Sequence, residues 1–231
     1  MNTILITGAN RGIGLETTKI FSKNNWNVIA CCRNPNGEIE LNMLSKNMNN
    51  IKILKLDLDN FDNIENLKYE LNNTNIDILL NNAGIYGDPI GQEFGKINYE
   101  SFNNALKINL LAPLKLSETL IDNVLKSNKK IIAFITSMMG SITLNKNGDE
   151  IIYRVTKAAA NMAVKCLSNK LRDKKVTVLA MHPGWVKTRM GGPNAPTTAV
   201  ESASGIYKVL STITFKSSGL FIDYKGEVLP W

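Results

Sequence analysis

The sequence of 231 residues predicts an α/β fold with a doubly wound parallel sheet of about seven strands and helices on both faces. Two observations predict this fold. Short runs dense in Ile, Val and Leu alternate along the chain with longer amphipathic segments, as in a parallel sheet covered on both faces. In addition, a Gly-rich segment follows the first apolar run and opens the first amphipathic segment, as at a tight strand-to-helix turn.

In chain order, strands and helices alternate from one end to the other. The apolar runs predict strands at 3–7, 27–32, 51–56, 76–81, 130–136, 176–181 and 219–223. The segments between them predict helices at 12–24, 38–47, 60–71, 99–125, 153–172 and 198–210. No linker or internal repeat interrupts the alternation, so residues 1–231 are expected to form one domain.

Composition and charge argue against several classes of protein. The net charge is +7, but the lysines are scattered, with pairs only at 129–130 and 174–175. No aromatic residues alternate with them as a base-stacking surface would require, so nucleic-acid binding is not expected. The longest apolar runs, 28–32 and 131–135, are far shorter than a membrane span. We therefore expect no membrane partner and, in the absence of a signal-peptide pattern at the start, a cytoplasmic location.

The cysteines and the single histidine do not suggest a metal site. Cys31 and Cys32 are adjacent within a predicted strand, and Cys166 stands alone. Neither a disulfide framework nor a zinc-ligand spacing can be drawn from them. His182 is the only histidine, which excludes a His-based triad or a His-rich metal site. These residues fit a reducing compartment, and no metal is expected.

The Gly-rich turn covers Thr7–Gly14 and reads Gly-x-x-x-Gly-x-Gly. Gly8 permits a tight turn, while Gly12 and Gly14 allow the backbone to approach a phosphate group at the start of a helix. This spacing differs from the Gly-x-Gly-x-x-Gly of long-chain dehydrogenases. From the residues alone, a turn that binds no ligand remains an alternative.

A second pattern places Tyr153 and Lys157 four residues apart in a predicted helix, and therefore on one face of it. A phenol titrates near ~10 in water and is a poor proton donor or acceptor at neutral pH. A neighbouring ammonium group is expected to lower that pKa, so that the pair could exchange a proton with an alcohol or carbonyl oxygen. Ser137 and Asn109 are, by themselves, equally consistent with a serine at a loop start and a tolerated polar residue in a helix.

Taken together, the motifs resemble the short-chain dehydrogenase/reductase family over essentially the whole chain. The motifs come in the family's order and spacing: Thr7–Gly14, Asn81-Asn82-Ala83-Gly84, Asn109, Ser137 with Gly140, Tyr153 with Lys157, and His182-Pro183-Gly184. Segments 137–142, 153–154, 183–186 and 223–231 resemble the C-factor and sniffer-like carbonyl reductases. The resemblance implies a Rossmann-type domain whose first ~100 residues bind a dinucleotide and whose remainder carries catalysis and the substrate site.

The resemblance also implies roles for four residues. Tyr153 is expected to donate or accept the proton, and Lys157 to lower its pKa and hold the nicotinamide ribose. Ser137 is expected to hold the substrate carbonyl oxygen. Asn109 is expected to support a water molecule that links Lys157 to solvent. The implied cofactor contacts are Gly8, Asn10, Arg11, Gly12, Ile13, Gly14, Arg33, Asp57, Leu58, Asn81, Ala83, Gly84, Tyr153, Lys157, Pro183, Gly184, Val186 and Thr188.

Three residues favour NADP(H) as the cofactor. Dehydrogenases that prefer NAD usually have an acidic residue at the end of the second strand, where Cys32 stands here. Arg33 follows directly and Arg11 lies within the Gly-rich turn, so both guanidinium groups could bind a 2′-phosphate. The alternative is that both arginines are solvated surface residues. Asp57 could likewise contact adenine or cap the following helix.

The expected function is therefore NADPH-dependent reduction of a small-molecule carbonyl substrate, an aldehyde, ketone or quinone, to the alcohol. The alternative is a C-factor-like dinucleotide-binding signalling or redox-sensing protein with little turnover. The complete set of catalytic residues favours the enzyme, because a sensor has no need of an acid. The resemblance also implies a homodimer or homotetramer formed through the helices at 102–125 and 158–171.

Overall fold

A computed structural model describes residues 1–88 and 94–231. Within this part of the chain, seven parallel strands form one sheet in the order β3-β2-β1-β4-β5-β6-β7. The strands are Thr3–Thr7 (β1), Asn27–Cys32 (β2), Ile51–Lys55 (β3), Ile78–Asn81 (β4), Ile131–Ile135 (β5), Thr177–His182 (β6) and Phe221–Asp223 (β7). The predicted doubly wound parallel sheet is confirmed.

The order of the strands fixes the position of a cleft. From β1 the chain moves outward through β2 to β3, and it then returns to β4 on the other side of β1. The connections after β1 and β4 therefore leave the sheet in opposite directions. At such a switch point a crevice opens beyond the carboxyl ends of the strands, and open α/β sheets bind their ligands there.

Helices cover both faces of the sheet. They are Gly12–Lys23 (α1), Ile39–Asn47 (α2), Phe61–Glu70 (α3), Tyr99–Leu106 (α4), Ala112–Thr119 (α5), Ile121–Leu125 (α6), Ile151–Lys170 (α7) and Ala199–Thr212 (α8), with short 3-10 turns at Pro35–Gly37, Met138–Gly140 and Phe215–Ser217. Apolar side chains of α1, α2 and α8 pack on one face, and those of α3, α5 and α7 pack on the other. Successive side chains of each strand alternate between these two cores.

The predicted single helix over 99–125 is wrong, because this segment is broken twice. A π-helical turn at Lys107–Leu111 separates α4 from α5, and Leu120 leaves helical geometry at φ −102° and ψ 12° before α6. Pro113 has no N–H to donate to the carbonyl of Asn109 four residues earlier, which favours the wider turn. The other predicted elements differ from the observed ones by at most two residues at either end.

The apolar side chains of the helices expected to mediate assembly differ in their exposure to solvent. Leu120 is fully buried in the core beneath α5, so it cannot contribute to an interface between subunits. Leu111 and Met162, in contrast, are 46% and 64% exposed on the same side of the sheet.

Over residues 1–88 and 94–231, none of the helices combines the length and apolar character needed to cross a bilayer.

Candidate active site

A cleft of about 1190 Å³ opens at the carboxyl ends of the strands, at the switch point between β1 and β4. Its walls come from the β1–α1 turn, the ends of β2 and β3, the segment after β4, helix α7 and the segment after β6. The predicted site residues that line it are Gly8, Asn10, Arg11, Gly12, Ile13, Gly14, Arg33, Asp57, Leu58, Ala83, Gly84, Tyr153, Lys157, Pro183 and Thr188.

The Gly-rich turn requires two of its glycines for steric reasons. Gly12 has φ +52°, in the left-handed region that other residues rarely adopt. A Cβ atom at Gly14 would lie 2.2 Å from the carbonyl oxygen of Gly8. A hydrogen bond also links the turn to the segment after β4, because Asn82 Nδ2 donates to the Thr7 carbonyl at 2.8 Å. At these glycines the turn is therefore fixed and presents bare backbone to the cleft.

The start of α1 faces this cleft and is suited to an anionic group. Within the described residues, no side chain caps the helix, and its first turn contains no acidic residue. Unpaired amide groups and the positive end of the helix dipole favour phosphate at such a position. Arg11, Lys187 and Arg189 line the same cleft and add positive charge. These residues fit the diphosphate of a dinucleotide.

At the end of the cleft beyond β2, Arg11 and Arg33 are both exposed, and neither forms an ion pair in the described part of the chain. Asp57 also lines the cleft, and its Oδ1 accepts a hydrogen bond from the Asp59 amide at 3.1 Å. The alternative that Asp57 caps the next helix is wrong, because the cap of α3 is Asn60, which accepts from the amides of residues 62 and 63.

Tyr153 lies in the first turn of α7 and is 8% exposed. Its hydroxyl group hydrogen-bonds the side chain of Ser137, at the carboxyl end of β5. Burial raises the pKa of Tyr153 to about 12, and the hydrogen bond with Ser137 opposes this change only in part. At neutral pH the phenol is therefore protonated, and it can donate a proton to an oxygen atom placed beside it.

Lys157 lies one turn further along α7 and is 4% exposed. Its Nζ donates to the Ile135 carbonyl at 2.9 Å and lies 5.5 Å from the centre of the Tyr153 ring. Burial lowers the pKa of Lys157 to about 8. The expected lowering of the Tyr153 pKa by this ammonium group is thus not what the structure shows, because burial disfavours the charged form of both side chains.

Asn109 lies behind Lys157, in the π-helical turn, and is buried. Its side chain pairs with both backbone groups of Ile85 at 2.8 Å and donates to Thr156 at 3.0 Å. Both amide hydrogens are therefore occupied, while Oδ1 retains a second lone pair that could accept from a water molecule. A Cβ atom at Gly84 would lie 3.1 Å from Asn109 Oδ1 and 3.3 Å from Lys157 Nζ, so the two side chains converge there.

Two hydrogen bonds, donated by neighbouring amide groups, fix the loop that begins at Ser137. Ser137 Oγ accepts from the Met139 amide at 3.1 Å, and His182 Nδ1 accepts from the Met138 amide at 3.1 Å. Burial lowers the pKa of His182 to about 4, although the charge of Asp223 opposes this. The imidazole is therefore neutral and can accept this hydrogen bond, as expected for a structural histidine beside the Pro-Gly turn.

Three predicted cofactor contacts do not line the cleft. The Asn81 side chain is buried beside Ser117 of α5, at 3.5 Å, and Asn82 faces the cleft in its place. Strand alternation explains this difference, because adjacent side chains point to opposite faces. Gly184 packs against the ring of Tyr224, and the Val186 side chain is buried. Asn109 and Ser137 are not among the lining residues either, although Ser137 hydrogen-bonds Tyr153, which lines the cleft.

Sequence reasoning missed several residues around Tyr153. The carboxylate of Asp88 accepts hydrogen bonds from the amides of Ile152 and Tyr153 at 3.0 and 2.7 Å. Tyr86 stacks on the Tyr153 ring, with the centres 4.8 Å apart. Helix α7 has no side-chain cap of its own, and Glu150 before it is left-handed. Asp149, just before this helix, is a residue type that often caps helices, and nothing in the sequence indicates that Asp88 takes this role.

Metal ligation has no support in the structure. Across residues 1–88 and 94–231, no group of three or more His, Cys, Asp or Glu side chains is arranged to hold a metal ion. Cys31 and Cys32 are buried in β2, and burial raises the pKa of both thiols.

Comparison with known proteins agrees with this geometry. The family model described as short chain dehydrogenase matches residues 2–199. The C-signal protein of Myxococcus xanthus is 36% identical over 156 residues, which are 68% of this chain and 93% of that protein. A dehydrogenase of Rhodococcus sp. strain AD45, which acts on 1-hydroxy-2-glutathionyl-2-methyl-3-butene, is 27% identical over the full length of both chains.

Solved structures are similar over the whole chain. The carbonyl reductase Sniffer of D. melanogaster superposes with a TM-score of 0.92 at 33% identity and covers 100% of both chains. The NADPH-bound carbonyl reductase from chicken fatty liver superposes with a TM-score of 0.91 at 32% identity, covering 100% of this chain and 99% of that one. With its sheet order, Gly-rich turn and Tyr153–Lys157 pair, this chain belongs to the short-chain dehydrogenase family of oxidoreductases.

Proposed function

We propose that this protein is an NADPH-dependent carbonyl reductase, which converts an aldehyde, ketone or quinone to the alcohol. The observation that carries the proposal is the position of Tyr153. Its hydroxyl group is bound to Ser137 and lies close to Lys157, in a cleft that begins at an uncapped helix N-terminus. Two of the similar carbonyl reductase structures contain NADPH or NADP, which supports the choice of cofactor.

The residues assigned to the cofactor line the cleft, and their roles are those that the family resemblance implies. The amides at the start of α1 would hold the diphosphate, while Arg11 and Arg33 would bind the 2′-phosphate. Asp57 and Leu58 would contact the adenine, and Lys157 the nicotinamide ribose. When bound, NADPH supplies the hydride that the protein itself cannot provide.

The protein's own part is the handling of a proton. The Ser137 hydroxyl would donate a hydrogen bond to the substrate carbonyl oxygen next to Tyr153 Oη, and Tyr153 would donate its proton to that oxygen. The raised pKa of Tyr153 keeps the acid protonated at neutral pH, as proton donation to a carbonyl oxygen requires. A water molecule held at Asn109 would link Lys157 to solvent, and Lys157 would pass a proton from that water to the phenolate.

The test is consumption of reduced nicotinamide, followed by absorbance, with a panel of aldehydes, ketones and quinones. We expect turnover with NADPH and at least one substrate class, and its loss in Tyr153→Phe. Tight NADPH binding without turnover on the whole panel would contradict the reductase. That result would favour the second candidate, a dinucleotide-binding signalling protein, for which the similarity to C-signal is the specific observation.

A further inference from the structure

Glu38 occupies the end of the cleft where the adenosine ribose is expected. It precedes α2, is half-buried and lines the cleft together with Arg11, Cys32 and Arg33. Its Oε1 accepts a hydrogen bond from Asn10 Nδ2 at 2.8 Å, which ties it to the Gly-rich turn. A carboxylate therefore faces the place where sequence reasoning found only Cys32 and two arginines.

The charged side chains at this end of the cleft do not form ion pairs with one another in the described part of the chain. Among the ion pairs of the described residues, none includes Glu38, Arg11 or Arg33. The charge of Glu38 is also felt at Cys32, where it adds to the effect of burial in raising the thiol's pKa to about 11. Arg11, Arg33 and Glu38 thus line the same end of the cleft, where Asp57 and Asp59 contribute further carboxylates.

We propose that Glu38 is a specificity-determining residue whose carboxylate weakens binding of the NADPH 2′-phosphate and so narrows the preference for NADPH over NADH. The inference rests on the proposed function. A 2′-phosphate carries about two negative charges at neutral pH, and at this position it is attracted by Arg11 and Arg33 and repelled by Glu38. The ribose of NADH carries no charge there, so its binding depends little on the charge of Glu38.

A purely structural role for Glu38 makes a different prediction. If Glu38 matters only because it holds Asn10, then keeping the hydrogen bond should keep the affinity. Glu38→Gln does this, because the amide oxygen can still accept from Asn10 Nδ2 while the charge is removed. The variant therefore separates the charge of Glu38 from its hydrogen bond.

The experiment measures dissociation constants for NADPH and NADH by nucleotide fluorescence or calorimetry, with the purified protein and no substrate. We expect Glu38→Gln to bind NADPH about 3- to 30-fold more tightly, the order of magnitude for removing a unit charge close to a phosphate at a protein surface, where the effective dielectric constant is ~20. Binding of NADH should change by less than about twofold. The gain for NADPH should shrink at high salt, because ions screen the repulsion.

Glu40→Gln is the matched control. Glu40 belongs to the same helix but forms an ion pair with Lys19 at 2.7 Å and does not line the cleft, so its removal should leave both affinities unchanged. Unchanged or weaker NADPH binding by Glu38→Gln, with wild type binding NADPH, would overturn this inference alone. If the wild-type protein binds neither nucleotide, the proposed function fails, and the inference fails with it.

Discussion

Replacing Lys157 by methionine should make the protein more stable while it abolishes turnover. Lys157 is buried, and its burial lowers its pKa from 10.5 to about 8. Keeping the Lys157 ammonium charged in the folded protein therefore lowers the free energy of unfolding. Methionine has a similar length, no charge and good tolerance of core packing.

The magnitude follows from the pKa and the lost hydrogen bond. Each pH unit of pKa difference corresponds to 1.36 kcal/mol, so the charge of Lys157 costs ~3 kcal/mol at neutral pH. The variant also loses the 2.9 Å hydrogen bond to the Ile135 carbonyl, and this loss offsets ~1–2 kcal/mol of the gain from removing the charge. We expect a net gain of ~1–2 kcal/mol in the free energy of unfolding, or a few degrees in Tm for a chain of this length.

The lowered pKa also predicts how the stability difference between wild type and Lys157→Met changes with pH. Because the folded pKa lies below the unfolded value of 10.5, the unfolded state binds more protons between about pH 8 and 10.5. The stability of wild type should therefore rise relative to Lys157→Met across this window, as the cost of the charge disappears. Below pH 8 the difference between the two proteins should be constant.

The assay is denaturant unfolding without nucleotide at several pH values, with Lys170→Met as the control. Lys170 lies on the same helix but is exposed, so the same substitution should change stability by no more than ~0.5 kcal/mol. A Lys157→Met protein that is less stable than wild type at pH 7 would refute the reasoning. So would a stability difference that does not narrow above pH 8.

Other predictions concern the acid, the helix that carries it, the nucleotide turn and assembly. Tyr153→Phe should lower kcat by ~10²–10⁴ and leave the Kd for NADPH nearly unchanged, and substantial remaining turnover would contradict the assigned acid. Asp88→Ala should lower the free energy of unfolding by ~1–2 kcal/mol and lower kcat more than it raises KM, because it frees two amides at the start of α7. Asn60→Ala removes a comparable cap from α3 and should destabilise without changing kcat; equal kcat losses would argue against positioning by Asp88. Gly14→Ala should abolish nucleotide binding or folding, because its Cβ would lie 2.2 Å from a backbone oxygen, and normal NADPH affinity would exclude the tight turn. Light scattering at micromolar concentration should give a dimer mass, and a monomer mass would rule out the implied assembly.

Alternation of apolar runs and amphipathic segments was enough to predict the parallel sheet and the position of its helices. The reason is that a strand buried on both faces must be apolar throughout, and this leaves a local signal. The break at Lys107–Leu111 is an instructive failure. Pro113 was a visible cause, but the π-helical turn also depends on Asn109 pairing with Ile85, a contact between distant segments.

By itself, the sequence determined the chemistry available to this protein: a Gly-rich turn, two arginines expected to bind a 2′-phosphate, and a Tyr153–Lys157 pair on one helix face. Those features depend on neighbours within a few residues, so spacing reveals them. The tertiary structure alone decided the electrostatics of the site. Burial raises the pKa of Tyr153 although Lys157 is near, and the fold places Glu38 beside the arginines. Solvent exclusion and contacts across the sheet depend on how distant segments pack, and local spacing carries no record of them.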